Sequence, residues 1–256
     1  MKSQLSAVFL WAGDVAFFGF RVFRDALRSP REGVEIARQV FELGWRSLPL
    51  IAAAGFAVGA VMSMHTRASL ERFGAEALIP AGLALALFKE TGPLVTGLLF
   101  AGRVGAGIGA ELGAMRVTEQ IDALESLAVD SFKFLVVTRV AACVLVLPLL
   151  TTIMNFTGIV GGFVAETAVS GMSFSLYWDR AWSLVNFVDY VPATLKTCVF
   201  GFIIGLVACY LGYNTKGGTA GVGQASTRSV VLTSILLIVS NVVLVKAIFF
   251  LFPAAK

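Results

Sequence analysis

Charged residues are scarce in this chain, and long apolar runs take up the room that they leave. Only 14% of the 256 residues are charged and 57% are hydrophobic, whereas ordinary soluble domains have about 25% charged and about 45–50% apolar residues. A soluble protein of this composition would expose large apolar patches to water. The runs do not alternate with a period of two, which argues against a transmembrane β-barrel. The composition therefore predicts an all-α integral membrane protein.

Histidine and cysteine are too few for the usual metal and disulfide sites. The sequence has one histidine, His65, and three cysteines at positions 143, 198 and 209, all within apolar runs. A structural zinc site takes four ligands, and an odd number of cysteines inside membrane segments gives no disulfide framework. We therefore expect no metal site, and we expect the cysteines to pack as small apolar side chains.

The common catalytic motifs are also missing. The sequence contains no G-x-x-x-x-G-K-[ST] phosphate loop, no H-E-x-x-H and no G-x-S-x-G. The chain is therefore not expected to be an enzyme or to bind a cofactor itself, and any ATP and magnesium that drive it belong to a partner ATPase. The glycine-rich segment 217–223 lacks the Lys-Ser/Thr of a phosphate loop, and we predict a flexible connector there.

Five segments are long and apolar enough to cross a bilayer, which takes roughly 20 residues. They cover residues 48–64, 78–101, 140–165, 191–213 and 230–252. Lys196 lies near the start of the fourth segment, and we expect its ammonium to snorkel to the interface. Glycine pairs four residues apart predict close approach of helices. These pairs are Gly55 and Gly59, Gly158 and Gly162, and Gly201 and Gly205.

Residues 1–46 are predicted to form amphipathic helices on the membrane surface, and residues 47–256 the five-span domain. Residues 5–27 are apolar, but Asp14, Arg21 and Arg24 interrupt them and several aromatic residues of interfacial type accompany them. Residues 29–32, Ser-Pro-Arg-Glu, have the spacing of a capping box with proline at the first helical position. A second short helix is therefore predicted before the first span.

The distribution of basic residues predicts the orientation. Most of the 20 lysines and arginines lie before the first span, between spans two and three, or between spans four and five. Such loops are cytoplasmic by the positive-inside rule. The N-terminus is therefore expected in the cytoplasm and the C-terminus in the periplasm.

The segment between spans two and three is unusually acidic. From Glu111 to Asp130 it carries five acids and one base, with apolar residues at helical spacing between them. This pattern predicts a cytoplasmic amphipathic helix at about residues 111–127. One interpretation is a solvated loop. The functional interpretation is a coupling helix that docks into a groove of a cytoplasmic partner.

Lys89 and Glu90 place two charges inside the second span. Each costs roughly 2.5–3.5 kcal/mol on insertion scales, and such residues usually face a cavity or a partner. Two interpretations stay open. Lys89 snorkels while Glu90 binds a neighbouring helix, or Glu90 faces a cavity near lipid headgroups that a kink at Gly92-Pro93 helps to open.

The central block, LLFAGRVGAGIGAELGAMRVTEQIDALESLAVD at 98–130, resembles the signature of MlaE/YrbE permeases. These are the membrane subunits of ABC transporters that work with MCE proteins. Further matches are Glu90–Pro93, Pro148–Leu150, Gly212-Tyr213 and the stretch GGTAGVGQASTRSVV at 217–231. The resemblance covers most of the chain beyond about residue 45. Asn241 stands where relatives often carry Asp, and Lys246 adds a charge to the last span.

The resemblance implies a homodimeric lipid permease of the bacterial inner membrane. Its expected partners are an MlaF-like ATPase, an MCE-domain (MlaD-like) protein on the outer side and, as an accessory, an MlaB-like small cytoplasmic subunit. The cargo is usually a glycerophospholipid, although an apolar cavity also suits sterols and other hydrophobic molecules. The resemblance does not predict the direction of transport. No nucleic acid is expected as a partner.

Two sets of site residues follow. The predicted ATPase contacts are Glu111, Arg116, Glu119, Gln120, Asp122 and Glu125. The predicted cavity lies between two copies, with adaptable methionine and aromatic walls at the outer end of the first span and Glu90 as its polar contact. Its candidate residues are Met62, His65, Leu70, Phe73, Leu78 and Glu90. The alternative function is an ion-coupled secondary transporter with Lys89, Glu90 and Lys246 as its relay.

Overall fold

The computed structural model describes residues 2–27 and 32–251, and regular structure within these ranges is entirely helical. Most of the predicted capping box at 29–32 lies outside the described residues. The α-helices are α1 (Lys2–Ala26), α2 (Gly33–Leu70), α3 (Ile79–Ala86), α4 (Gly92–Phe100), α5 (Ala106–Val117), α6 (Gln120–Ser126), α7 (Thr138–Ser170), α8 (Phe174–Trp182), α9 (Phe187–Tyr213) and α10 (Gly218–Leu251). Two 3₁₀ turns, Glu71–Phe73 and Glu76–Leu78, follow α2. Three π-helical segments, Leu87–Thr91, Ala101–Gly105 and Lys133–Val137, interrupt or precede the α-helices.

Five helical segments of the described chain are long and apolar enough to cross a membrane. They are Gly33–Phe73, Glu76–Val117, Lys133–Ser170, Asp189–Tyr213 and Gly218–Leu251. The prediction of an all-α membrane protein with five spans is therefore confirmed. The second span is a continuous stack of α3, α4 and α5 joined by π-helical segments.

The first span begins earlier than the sequence indicates. The predicted short helix and the first span form one helix, α2, of 38 residues. Pro49 lies inside it and removes one backbone hydrogen bond, yet the helix continues through that position. The predicted boundary at residues 46 and 47 is therefore not a break in secondary structure.

The chain divides into two compact units. Unit 1 comprises residues 1–43, 100–146 and 200–236, and unit 2 comprises residues 44–99, 147–199 and 237–256.

In unit 1, α1 has two distinct faces. The ring of Phe18 packs against Phe132 and Tyr210, with centroid distances of 5.0 and 5.4 Å, and the Arg21 guanidinium lies 3.9 Å from the centroid of the Phe132 ring. Phe17, Phe20 and Phe23 lie on the exposed face. This arrangement suits a helix at a membrane surface.

In unit 2, glycines allow α2 and α7 to touch through their backbones. A Cβ atom added at Gly59 would overlap the carbonyl of Gly158, and one at Gly161 would overlap the backbone of Phe56. The glycine spacing predicts this approach. In unit 1, a Cβ atom added at Gly201 would overlap the carbonyl of Cys143, and one at Gly205 would crowd the backbone of Val140, both on α7. The predicted helix packing at these pairs is confirmed.

The apolar core of unit 2 joins α3, α7 and α8. Leu83, Leu87, Ile159 and Tyr177 are among its fully buried members. This core positions the π-helical segment that carries Lys89 and Glu90, which lies directly after α3.

Candidate functional site

The second span changes its helix type where its charged residues lie. Leu87–Thr91 is π-helical, and single π-helical turns occur frequently at functional sites. Pro93 follows two residues later and has no N–H, so it cannot bond the carbonyl of Lys89 in an α-helical ladder. Instead, the Nζ of Lys196 on α9 donates a 2.7 Å hydrogen bond to that carbonyl. The proline thus leaves an acceptor free, and a lysine from another span occupies it.

Glu90 joins three spans through one carboxylate oxygen. Its Oε2 lies 3.1 Å from the Nζ of Lys196 and accepts a 3.1 Å hydrogen bond from the Nδ2 of Asn241 on α10. Lys196 is only 4% exposed. The prediction that Lys196 snorkels to the interface is therefore wrong, because two protein oxygens hold its ammonium inside the unit.

Lys89 has a partner of its own. Its Nζ lies 2.8 Å from the Oδ1 of Asp189, which is buried at the start of α9. Lys89, Glu90, Asp189 and Lys196, together with the amide of Asn241, are called the charged cluster below. The cluster holds two cations and two carboxylates and is balanced, which is how charges within a membrane are usually accommodated.

The first interpretation of the two charges holds for Glu90, which binds neighbouring helices, but not for Lys89, which pairs with Asp189 instead of snorkelling. That Glu90 faces a cavity near lipid headgroups stays a prediction. The carboxylate binds neighbouring helices, yet 45% of the side chain is exposed. A small pocket of about 30 Å³ is lined by Lys89, Glu90 and Asp189 together with residues of α10. Part of the Glu90 side chain therefore stays exposed while Lys196 and Asn241 hold its Oε2.

A larger apolar pocket runs between α9 and α10 in unit 2. Its volume is about 470 Å³, within the roughly 300–1,000 Å³ of small-molecule sites. Val191, Leu195 and Leu244 contribute to its walls, and Lys196 provides its charged group. We call it the α9–α10 pocket. Apolar walls beside a charged cluster suit a molecule with hydrocarbon chains and a polar head.

The acidic segment of unit 1 is two helices rather than one. Helix α5 ends at Val117, Glu119 has a left-handed backbone with φ of 58°, and α6 begins at Gln120. The turn redirects the chain so that Ile121 is fully buried. The prediction of one helix at 111–127 is therefore wrong at this turn, and no glycine or proline marks the turn in the sequence.

Ion pairs fix the shape of this segment. Arg116 bonds Asp122 across the turn at 2.7 Å, and Arg139 on α7 bonds Glu111 at 2.8 Å. The Ser131 hydroxyl donates a 2.6 Å bond to Glu125, and the Tyr213 hydroxyl adds a bond of 3.3 Å. The Ser131 bond in particular lowers the pKa of Glu125, and the Tyr213 bond acts in the same direction.

Most of the predicted docking residues nevertheless remain accessible. Glu119 and Gln120 are exposed at the turn, and the paired carboxylates of Glu111 and Asp122 keep 58% and 56% of their side chains exposed. Leu127 just beyond α6 is 74% exposed. The segment therefore presents carboxylates and an apolar residue on a shape that its own ion pairs hold.

Comparison with known proteins decides the family. Residues 36–247 match the family model described as Permease MlaE. The chain belongs to the MlaE permease family. The resemblance seen in the central block is thereby confirmed.

Relatives of this MlaE-family chain come from bacteria and a plant. A probable ABC transporter permease protein of Rickettsia bellii is 37% identical over 93% of this chain and 92% of its own length. The intermembrane phospholipid transport system permease protein MlaE of Haemophilus influenzae is 32% identical over 90% of each chain. The protein TRIGALACTOSYLDIACYLGLYCEROL 1, chloroplastic, of Arabidopsis thaliana is 32% identical over 92% of this chain and 68% of its own.

The sequence-based cavity candidates of this MlaE-family permease are not gathered at the charged cluster. Met62 packs against the core of unit 2, and Phe73 and Leu78 are 82% and 53% exposed on the 3₁₀ turns. His65 is exposed and Leu70 is half-buried. Of the six candidates, only Glu90 lines either pocket beside the cluster.

Sequence reasoning missed the two ion pairs, Lys89 with Asp189 and Lys196 with Glu90. A signal existed for both, because charged residues within apolar spans are usually paired with one another. Two acids and two lysines in or at the ends of the second and fourth spans therefore predict pairing, although not which lysine meets which acid.

The predicted connector at 217–223 is mostly helical in this MlaE-family chain. Only Gly217 and Gly218 have positive φ values, of 90° and 66°, and α10 already begins at Gly218. A Cβ atom at Gly221 would overlap the backbone carbonyl of Lys216. The prediction of a flexible connector is therefore wrong beyond Gly218, since glycine there allows a close turn at the start of the helix.

Proposed function

We propose that this chain is the permease subunit of an ATP-binding-cassette transporter that moves phospholipid between the inner membrane and an MCE-domain partner. The observation that carries the proposal is the α9–α10 pocket of about 470 Å³ beside a balanced charged cluster. The names of the relatives from Haemophilus influenzae and Rickettsia bellii support the cargo and the transporter class.

The pocket and the cluster together match a phospholipid. The apolar walls between α9 and α10 take up hydrocarbon, since burial of each methylene group is worth about 0.8 kcal/mol. A zwitterionic headgroup carries one cation and one anion. It can therefore exchange partners with the charged cluster without leaving a net charge in the membrane, with Glu90 facing the headgroup cation and Lys89 its phosphate.

Energy for transport comes from a partner in this proposal. The sequence contains no phosphate loop, and the acidic segment exposes Glu119 and Asp122 as contacts for an MlaF-like ATPase on the cytoplasmic side. Rigid elements transmit movement better than loose ones. The Arg116–Asp122 pair and the Glu125–Ser131 bond hold the segment in shape for that purpose.

A homodimer completes the proposed transporter. The apolar residues Val239, Val242 and Val243 of α10, all in unit 2, are more than half exposed. This face is available to a second copy or to lipid. Chemical cross-linking of the purified chain between cysteines placed at Val239 of each copy is expected to give dimers, and monomers only would contradict the homodimer.

Photo-crosslinking tests where the lipid binds. A crosslinking amino acid at Leu195 or Leu244, which line the α9–α10 pocket, should capture phospholipid in vesicles more strongly than one at Leu145, which is 53% exposed on α7 and serves as the matched control. The same probe at Met62 or Phe73 tests the sequence-based location. Equal capture at Leu195 and Leu145 would show that the α9–α10 pocket is not the cargo site.

Charge reversal tests the docking segment. Glu119→Lys with Asp122→Lys should release the ATPase on co-purification, while the permease still inserts in the membrane. Glu71→Lys, an exposed acid in unit 2, is the matched control and should retain the ATPase. Glu119→Asn separates charge from shape, because asparagine tolerates the left-handed backbone at this position. Co-purification that is unchanged in the double variant would contradict docking at this segment.

An ion-coupled secondary transporter is the second candidate. Two ion pairs inside the spans favour it, since intramembrane carboxylates often relay protons. Lys246, the third proposed relay residue, is exposed on α10 and does not line the pocket that Lys89 and Glu90 share. Transport that follows a proton gradient in vesicles without any ATPase would favour this candidate over the first.

A further inference from the structure

A second apolar pocket lies in unit 2 between α7, α8 and the beginning of α9. Its volume is about 400 Å³. Five of its lining side chains are aromatic: Phe88, Phe156, Trp182, Phe187 and Tyr190. The Phe88 ring lies 5.5 Å from the Trp182 ring and 5.3 Å from the Tyr190 ring, so the rings brace one another. We call this site the aromatic pocket.

The residues around the aromatic pocket are typical of one edge of a membrane. Tyr190 is the second residue of the span Asp189–Tyr213, and Trp178 and Trp182 on α8 pack beside the pocket with centroids 5.5 Å apart. Tryptophan and tyrosine are enriched where hydrocarbon gives way to headgroups. The pocket therefore opens at the depth where lipid chains join their polar heads.

Polar groups are few in the pocket. The hydroxyls of Thr152 and Tyr190 share a 2.8 Å hydrogen bond on one wall, and Asn186 contributes an exposed amide. Ile159, which is 1% exposed, lies at the buried side. Polarity thus decreases from Asn186 towards Ile159, as it does along a lipid from its glycerol to its chain.

The size of the pocket selects among possible occupants. One turn of an α-helix, about 10 Å wide and 5.4 Å high, would already fill a volume of this order. A transmembrane helix of a partner has several turns and is therefore larger than the pocket, whereas part of a single hydrocarbon chain fits within it. In a bilayer, lipid molecules surround the apolar surface of a membrane protein, so hydrocarbon chains are available to enter the pocket.

We propose that the aromatic pocket binds one acyl chain of a bilayer phospholipid, with the ester of that chain near Asn186. This lipid is separate from cargo in the α9–α10 pocket. The proposal depends only on the chain lying in a bilayer and not on the proposed transport function, so either can fail without the other.

The test uses the full-length chain in phosphatidylcholine vesicles that contain phosphatidylcholine with a diazirine in one acyl chain. After illumination, mass spectrometry measures labelling of the residues that line the aromatic pocket relative to labelling near Leu145, an exposed position on α7. Val185→Trp fills the pocket, and Leu184→Trp places the same bulk on the neighbouring residue, which does not line it. Val185→Ala enlarges the pocket.

We expect Val185→Trp to reduce the relative labelling of the pocket by about tenfold or more, because it displaces several methylene groups of the chain. Leu184→Trp should leave labelling unchanged, and Val185→Ala should maintain or increase it. Equal labelling in the two tryptophan variants would overturn the proposal. A crosslinker at Phe156, which lines the aromatic pocket but not the α9–α10 pocket and is 53% exposed, should give lipid adducts, and adducts between two protein chains instead would also overturn it.

Val185→Trp is checked for folding by its melting temperature beside that of Leu184→Trp. If it unfolds, the enlarged Val185→Ala variant decides the matter, since loss of pocket labelling in a folded, enlarged pocket contradicts chain binding. ATP-driven phospholipid transport is measured separately, and its absence would bear on the proposed function alone.

Discussion

Substitutions at Lys196 and Glu90 should have strongly non-additive effects on the free energy of unfolding. Replacement of Glu90 by Gln leaves the Lys196 ammonium, which is 4% exposed, with neutral oxygens as its close acceptors, namely the Lys89 carbonyl and the new amide, in place of a carboxylate. Removal of one partner from a buried ion pair costs about 3–5 kcal/mol. Lys196→Met should cost less, roughly 1–3 kcal/mol, because Glu90 keeps the Asn241 bond and 45% of its side chain is already exposed.

The double variant completes the cycle. Once Lys196 is Met, Glu90→Gln no longer strands a charge, so the double variant should be about as stable as Lys196→Met alone. The coupling energy should therefore equal in size the cost of Glu90→Gln alone, about 3–5 kcal/mol. The free energy of unfolding is measured in mixed micelles by titration with a denaturing detergent, with tryptophan fluorescence as the signal.

A surface pair provides the control for this cycle. Arg116 and Asp122 bond at 2.7 Å, but their side chains are 38% and 56% exposed. The cycle of Arg116→Gln and Asp122→Asn should give a coupling of only about 0.2–1 kcal/mol. Additivity within about 0.5 kcal/mol at Lys196 and Glu90 would refute the reasoning that their pair is an intramembrane unit.

Three further predictions concern topology, packing and pH. In a cysteine-free background, a cysteine at Ser69 should be labelled from outside and one at Ser126 only from inside, and the reverse would invert the topology. Gly59→Ala should destabilise the protein by at least about 1–3 kcal/mol, because its Cβ would overlap the Gly158 carbonyl. Gly82→Ala is the control, since its Cβ meets nothing within 4 Å, and it should be neutral or stabilising by about 1 kcal/mol or less. Equal melting temperatures of the two variants would contradict the close contact at Gly59. The folded-state pKa of Glu125 lies below its ordinary value, so its bonds stabilise α6 at a pH above that ordinary value and lose their effect as the pH falls through the lowered pKa. Amide hydrogen exchange in α6, corrected for the intrinsic exchange rates, should therefore accelerate as the pH falls through this range. A corrected exchange rate that does not change with pH would contradict this prediction.

The sequence predicts the spans well because the evidence for each span lies within its own residues. Length and hydropathy within a single segment decide whether it can cross a membrane, and glycine spacing on one helix decides whether a neighbour can approach. Both features were therefore predictable for α2 and α7. The charged cluster was not, because the partner of Glu90 lies more than 100 residues away at Lys196 and depends on how the spans face one another.

Two other features of the structure have no local sequence pattern that predicts them. The turn at Glu119 requires a left-handed backbone. Glycine or asparagine at this position would have predicted such a turn, but the residue is a glutamate. The carbonyl freed by Pro93 could be anticipated from the missing N–H, but the identity of its donor could not. Tertiary packing decided both positions.

ATP-dependent phospholipid transfer by the reconstituted transporter tests the central claim most directly. The permease and its co-purified ATPase are placed in vesicles with fluorescent phospholipid, and transfer to the MCE-domain partner is followed with and without ATP, under both zero and imposed proton gradients. The account predicts transfer that requires ATP, ignores the gradient and falls in Glu90→Ala while the complex stays assembled. Transfer that follows the proton gradient without ATP, or that is unchanged in Glu90→Ala, would contradict it.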